Sequence, residues 1–181
     1  MSKMELRLAG SGGQGIILAT VILAEAAVIA GKHTAQSQSY GPEARGGSCK
    51  AEVIVSDDKI GFTKVTEPTF LMALTQASLD KYGKDLPENC IVLADEGLTV
   101  PDCLKNNRVV KLPILRTAVE KVGKAFTANI VAVGAINGLL GLVDHEELKK
   151  AVFMHIPRGT EAINEKALEA GIALIEKENT I

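Results

Sequence analysis

The chain has no tryptophan, two tyrosines and four phenylalanines among its 181 residues. So few rings exclude the stacking platforms that grip single-stranded nucleic acid. They leave the core to Ala, Val, Ile and Leu, which suits helices packed closely on a largely parallel sheet. Cationic runs are missing too: 20 Lys and Arg against 22 Asp and Glu give a net charge of −2, with no basic stripe for a phosphate backbone. Cys49, Cys90 and Cys103 are the only cysteines and form no C-x-x-C, a poor set for structural zinc or an iron–sulfur cluster. Sparse, unpaired cysteines fit a reducing cytoplasm, each read first as a small buried hydrophobe. The start "MSKMELRLAG" lacks the build of a signal peptide. The longest apolar run, "IILATVILAEAAVIAG", is broken by Glu25 and falls short of the roughly 20 residues a bilayer needs. It reads as a buried helix, with no membrane role.

What is present is an ordinary globular balance in a length that fits one domain over residues 1–181. "MELRLAG" alternates as a first strand, "SGGQG" turns the chain, and Ile16 to Ala30 form a helix, the opening of an α/β unit. "CKAEVIVS" predicts a strand, and "DD" a turn into a short return strand, "KIGFTKV", so the sheet is expected to be mixed. "TFLMALT", "CIVLAD" and "RVVKLP" predict buried strands, with a helix from Gln76 to Tyr82 after the first of them. From Leu115 onward the pattern is helical. "ILRTAVEKVG", "TANIVAVGAINGLLGLV", "DHEELKKAVFMHI" and "TEAINEKALEAGIALIEK" follow one another, with Asp144 and Glu147 spaced as a reinforced helix start. Ala162, Ile163, Ala167 and Leu168 are expected on the inner face of the last helix. The fold class is therefore three-layer α/β/α, with a mostly parallel, mixed central sheet and helices on both faces.

Gly10, Gly12 and Gly15 satisfy G-x-G-x-x-G between a strand and a helix, where glycine amides and a helix dipole favour an anion. An NAD site also needs an acidic residue about 20 positions on. Between Ala26 and Pro42 there is none, and no G-K-[ST] makes a Walker loop. Two readings stay open: a tight turn that permits close packing, or a cradle for a phosphate, a cofactor edge or a partner's backbone. Gln14 adds a neutral donor–acceptor able to reach outward from the helix start. Asn129 is a candidate cap or a polar contact to this loop. Asp95 and Glu96 end a strand at the edge where α/β proteins bind ligands, with a turn role as the default. His33, His145 and His155 read as surface or helix-end histidines.

A second unusual stretch is "QSYGPEARGG", Gln38 to Gly47. Pro42 fixes its own φ and steers Gly41, while Gly46 and Gly47 allow positive φ or close approach. Tyr40 has the flat face and polar tip of an interface anchor. Glu43 and Arg45 form a solvated pair, or pin the loop or an interface, or Arg45 meets a phosphate or carboxylate.

"GSGGQG", "QSQSYGPEARGGSCKAEVIVSD" and "TANIVAVGAINGL" together resemble the gamma subunit of the 2-oxoacid:ferredoxin oxidoreductases, over nearly the whole chain. The "SYGPEARGG" form is most similar to the 2-oxoglutarate branch, with the 2-oxoisovalerate branch close behind. The resemblance implies a subunit without catalytic or metal residues of its own, in an enzyme that oxidises a 2-oxoacid with coenzyme A to acyl-CoA, carbon dioxide and reduced ferredoxin. Thiamine diphosphate, Mg2+ and [4Fe–4S] clusters are implied for the complex and none for this chain alone. The chain has Asn106–Asn107 but no G-D-G of a thiamine site. Implied partners are alpha and beta chains, a delta chain in some assemblies, and ferredoxin through the complex. Gly12, Gly13, Gln14, Gly15 and Arg45 are then candidates for contact with coenzyme A or a partner. Tyr40, Gly41, Pro42, Glu43, Arg45, Gly46 and Gly47 are candidates for an interface. The glycine loop and "SYGPEARGG" are expected to lie near each other. The rival is an independent small nucleotide-binding enzyme using Gly10 to Gly15. Whether the isolated chain forms a homodimer stays open.

Overall fold

A computed structural model describes residues 3–38 and 48–178. The described residues form six strands and six α-helices, with the last four helices following the last strand. They are β1 (Met4–Ser11), α1 (Ile16–Ile29), β2 (His33–Gln38), β3 (Ser48–Ser56), β4 (Phe70–Ala73) and α2 (Gln76–Tyr82). Then come β5 (Ile91–Asp95), β6 (Arg108–Leu112), α3 (Ile114–Thr117), α4 (Ala128–Leu140), α5 (His145–His155) and α6 (Glu161–Glu178). The strands form one sheet in the order β2-β3-β1-β4-β5-β6. β1, β4, β5 and β6 run parallel, while β3 lies antiparallel to both β1 and β2. The mixed sheet is as expected, but by a different route. "KIGFTKV" forms no strand: β3 already has β1 on one edge and β2 on the other, so a return strand has no edge to pair with. β2 itself, "HTAQSQ", carries no apolar alternation to announce it.

Strand period 2 divides the sheet's side chains between two unequal layers. Leu6 and Leu8 of β1, Ala51, Val53 and Val55 of β3, and Phe70 and Met72 of β4 face the larger layer, which holds α1 and α3 through α6. Leu71, Ala73, Val92 and Ala94 face the thinner one, where Leu79 of α2 and Leu104 of a short 3-10 turn cover them. On that side β1 and β3 also carry a charged pair in register. Arg7 Nε donates to Glu52 Oε1 at 2.6 Å, and Lys50 Nζ reaches the same oxygen at 3.1 Å. Nearer the start of β1, the buried Glu5 carboxylate accepts the amides of Thr66 (2.8 Å) and Glu67 (3.1 Å) and pairs with Lys3. This anchors the strandless connection between β3 and β4. Burial alone would raise the Glu5 pKa, but Lys3 and the two amides outweigh it and hold the carboxyl below its ordinary value.

Helix α4 is buried without interruption from Ala128 to Asn137, which a helix tolerates only when it is apolar nearly all round. Its tightest neighbour is α6, and the contact is backbone on backbone. A methyl on Gly171 would stand 2.1 Å from the Val131 carbonyl oxygen, and one on Gly134 would stand 2.3 Å from that of Leu168. α6 turns Ala167, Leu168, Leu174 and Ile175 inward, as expected of its middle and end. Its first turn departs from expectation. Ala162 is exposed and Asn164 takes the buried place, because its amide is satisfied there by the Thr160 carbonyl (2.9 Å) and hydroxyl (3.0 Å). The helix expected after β6 is α3 followed by one π turn, Ala118–Val122, ended by Gly123 at φ 91°. α5 starts as its spacing predicts, with the Asp144 amide donating to Glu147 Oε2 at 2.9 Å. No helix among the described residues is long and apolar enough to cross a membrane.

Gly171→Ala is expected to destabilise the fold by about 2 kcal/mol or more, since two helix backbones must separate. Gly61→Ala, where an added methyl meets nothing within 4 Å, should stay within roughly 0.5 kcal/mol of the parent. Equal denaturation midpoints for the two would refute the close-contact account. Glu5 makes a second prediction. Its lowered pKa contributes stability that is complete above the ordinary value of 4.5 and disappears as pH falls through the folded value. Glu5→Gln should lose about 1–2 kcal/mol at neutral pH and flatten the acid limb of a stability–pH profile.

Candidate functional site

The carboxyl ends of β1, β4, β5 and β6 open on one edge of the sheet, the edge at which α/β folds bind ligands. The glycine loop leaves β1 there. Gly13 (φ 91°) and Gly15 (φ 71°) both have left-handed backbones that side chains resist. Gly12 and Gly13 are exposed, and Gly15 stands as the residue before the first turn of α1, with no side chain capping that turn. The first amides of α1 thus have no partner within the helix. Gln14 behaves otherwise than its outward reading. Its Oε1 accepts the Ser11 amide at 2.7 Å and lies over Gly10, where an added methyl would meet it at 2.5 Å. The oxygen of this amide therefore tightens the loop's own turn.

Asn129, raised by the sequence as a cap or a polar contact to the glycine loop, touches that loop by packing, with no hydrogen bond between the two among the described residues. A methyl on Gly15 would lie 2.5 Å from Asn129 Nδ2, so the start of α4 rests directly on the start of α1. Asn129 is 6% exposed, and its Oδ1 accepts the Ile130 amide at 3.0 Å. Beside this junction lies a concavity of about 300 Å3 lined by Gly13, Gln14, Leu115, Ala125, Phe126 and Ala128. None of these side chains is ionisable. The surface can offer neutral donors and an apolar wall, but no acid, base or nucleophile. Phe126, 65% exposed on the 3-10 turn Ala125–Thr127, is its most prominent group. Sequence reading passed it over, although one of only four phenylalanines placed next to a glycine-rich helix was a usable signal.

The neighbouring carboxylates are structural. Asp95 is buried; its Oδ2 accepts the Leu115 amide at the start of α3 (2.9 Å) and its Oδ1 the Gly97 amide (3.3 Å). Glu96 pairs with Arg116 through both oxygens, at 2.9 and 3.0 Å. Asn107 Nδ2 donates to the carbonyls of Pro87 (2.8 Å) and Cys90 (3.1 Å), tying down the turn before β5. Burial pushes the Cys90 thiol up to about 11, which keeps it protonated and inert. Cys103 is exposed and Cys49 half-buried opposite Gly10 in the β1–β3 register. His33 is exposed on edge strand β2, His145 Nε2 meets Glu169 at 3.0 Å, and His155 Nε2 lies 3.7 Å from Glu25. Among the described residues no three His, Cys, Asp or Glu side chains converge as metal ligands do.

Tyr40, Gly41, Pro42, Glu43, Arg45, Gly46 and Gly47 lie outside the described residues. Their flanks are fixed: Gln38 pairs with Ala51, and Ser48 pairs with Ser11, the residue before Gly12.

The signature of the pyruvate ferredoxin/flavodoxin oxidoreductase family matches residues 5–174. The 2-oxoglutarate synthase subunit KorC of Methanocaldococcus jannaschii is 45% identical over 172 residues, covering 93% of this chain and 92% of that one. The gamma subunit of a keto/oxoacid ferredoxin oxidoreductase from Geobacter sulfurreducens superimposes with a TM-score of 0.85 at 43% identity, over 96% of this chain and 99% of that one. A 2-oxoglutarate:ferredoxin oxidoreductase from Magnetococcus marinus shares the fold at 21% identity. Its TM-score is 0.87, over 98% of this chain and 32% of that longer one.

The Gly15–Asn129 contact is testable by a double-mutant cycle. Gly15→Ala meets both the Asn129 amide and a left-handed backbone; Asn129→Ala removes the first obstacle only. The double variant should recover about 1 kcal/mol or more relative to the sum of the singles in denaturant melts. Strict additivity would show that the two residues do not bear on each other.

Proposed function

We propose a function from one premise: the chain belongs to the pyruvate ferredoxin/flavodoxin oxidoreductase family. Within it, the chain is the gamma subunit of a 2-oxoacid:ferredoxin oxidoreductase, of the 2-oxoglutarate branch. It supports the CoA-dependent oxidative decarboxylation of 2-oxoglutarate, in which ferredoxin takes the electrons. One structural observation carries the division of labour. The concavity at the sheet's ligand-binding edge is walled by glycine, alanine, glutamine, leucine and phenylalanine, with no ionisable group. Such a surface can hold and orient, and the chemistry then falls to other chains.

Thiamine diphosphate, Mg2+ and [4Fe–4S] clusters are assigned to those alpha, beta and delta chains. The described residues of this one bring no three His, Cys, Asp or Glu side chains together as metal ligands. Coenzyme A fits better. Exposed Gly12 and Gly13 and the uncapped start of α1 present amides to a phosphate, and Arg45 would add the cation that the described lining lacks. Ser48 stands beside Ser11, which supports placing the segment from Tyr40 to Gly47 next to the glycine loop, as one edge of the assembly. Of its two roles, contact with a neighbouring chain is the one we favour for Arg45. The work is placed in the cytoplasm, on a single-domain chain. The rival, a free-standing nucleotide-binding enzyme, gains nothing from relatives that carry the names of oxidoreductase subunits.

Co-expression with the alpha and beta chains of the same genome tests the reading. The complex should reduce ferredoxin with 2-oxoglutarate and coenzyme A, and this chain alone should not. Full activity in a complex lacking the chain would overturn the assignment. Within the complex, Tyr40→Ala and Arg45→Ala should lower the amount of gamma chain recovered with its partners. A raised KM for coenzyme A in a fully assembled Arg45→Ala complex would instead place that side chain on the ligand.

A further inference from the structure

The sheet has two edges, and they are finished differently. β6 ends one of them with Arg108 and Lys111, both exposed, and charges of this kind discourage a foreign strand from adding on. β2, "HTAQSQ", ends the other with no Lys, Arg, Asp, Glu or Pro, in unbroken register with β3. Beyond that ladder, no backbone hydrogen bond reaches residues 33–37 from any other described residue. Helix α1 flanks this open edge. Thr20 and Glu25 are its only polar residues, and a helix apolar all round is ordinarily covered on every side. Here Ile17, Val21 and Ala24 are half-buried and Val28 is 53% exposed. We propose that β2 and this flank of α1 form the contact surface for a second copy of the chain, in a two-fold dimer whose sheet runs on from one β2 into the other.

Ile17, Val21, Ala24 and Val28 follow one another at steps of four, three and four, which aligns them as one seam. Its neighbours fix where that seam points. Gln36 Nε2 donates to Thr20 Oγ1 at 3.2 Å, so the Thr20 side of α1 stands over β2. Glu25 lies 3.7 Å from His155 Nε2, so its side meets α5. At about 100° per residue the seam lies about 70° round the helix from Thr20 and about 70° short of Glu25, and so emerges between β2 and α5. A two-fold axis normal to the sheet sets β2 antiparallel to its copy and, on the same side of the sheet, α1 antiparallel to its own. The two elements match in length, about 20 Å each at 3.4 Å per strand residue and 1.5 Å per helix residue. Self-pairing suits their chemistry. A strand that meets itself brings the residues near the axis close to their own kind, and Thr34, Ala35, Gln36 and Ser37 oppose no like charges. His33, at one end, falls away from its counterpart in an antiparallel pair. The seam is apolar throughout, so two copies remove each other's exposed methyls from water. The surface shares no residue with the lining of the concavity beside the glycine loop, and the dimer needs neither coenzyme A nor the alpha and beta chains.

The test is sedimentation velocity of the purified full chain over a concentration range that brackets a dimer Kd of about 10 μM, the weak range expected of a modest interface. Amide hydrogen exchange of the parent chain locates the contact. The β2 amides should exchange about three-fold or more slowly at the top of that range than at the bottom, while those of β6 do not change. Ala35→Lys places like charges beside the axis, and Val28→Asp places a charge on the seam at an exposed position that leaves the fold intact. Each should weaken dimerisation by about ten-fold or more. The proposal is overturned if the parent chain stays monomeric throughout, if it dimerises with β2 exchange unaltered, or if both variants dimerise as the parent does. Protection of the β2 amides only in the complex with alpha and beta chains would give this edge to another subunit, and would overturn it as well.

Discussion

Helix α4 cannot turn a polar face anywhere, because its first ten residues are buried, with α6, α1 and α3 packed around it. That enclosure works only if its neighbours come closer than side chains normally permit. Toward α6 the approach is made by Gly134 and Gly171, whose missing methyls would otherwise strike carbonyl oxygens. Toward α1 it is made by Gly15, which leaves room for the amide of Asn129. The same glycines that a sequence motif assigns to ligand binding are therefore also packing residues. The two roles do not compete: Gly12 and Gly13 face out and Gly15 faces α4.

The consequence for the site is mechanical. Since α4 is clamped between α6 and α1, the starts of α1 and α4 hold a fixed relation, and the concavity lined by Gly13, Gln14 and Phe126 follows from it. Asp95 fixes the third element of this edge by holding the first turn of α3 while bracing its own loop. The carboxylate that looked best placed for chemistry is spent on geometry. A buried, doubly hydrogen-bonded Asp at a strand end is as good a brace as it is a base, and sequence position alone does not separate the two uses.

Much of this was legible in the residue pattern. β1 announces itself by alternation, β4, β5 and β6 by short apolar runs between turn residues, and α5 by Asp144 and Glu147. The failures share one cause. β2 was invisible because an edge strand with polar residues on both faces has no alternation to read, and "KIGFTKV" was misleading because it does alternate. What decided between them was whether an edge of β3 was left to pair with, a long-range fact absent from local pattern. Ala162 failed in a similar way. Hydrophobicity placed it inward, but the Thr160 carbonyl and hydroxyl made the neighbouring place comfortable for Asn164, and one helical step rotates a methyl out to solvent. For the site, the glycine loop and Asn129 were named from sequence and are in contact, while Phe126 and Leu115 were missed because they reach the site from a turn and a helix remote in sequence.

The neutrality of the described site bears on how such a subunit is useful. A wall with no ionisable group does not titrate in the physiological range, so its grip on a ligand or a neighbouring chain is insensitive to pH and to charge that moves during turnover. In an enzyme that passes electrons one at a time, a fixed charge near the transfer path would shift every potential it could feel, by Coulomb terms that grow as water is excluded. Among the described residues the charged clusters on the thin face of β1 and β3, and on α5 and α6, contribute nothing to the lining of the concavity beside the glycine loop, at the ligand-binding edge. Glu96 and Arg116, the one described pair near that edge, cancel each other through a two-point contact. On this reasoning the lack of charged side chains in the described lining is a property of the candidate site: the contact proposed there would add no fixed charge from these residues to whatever it meets.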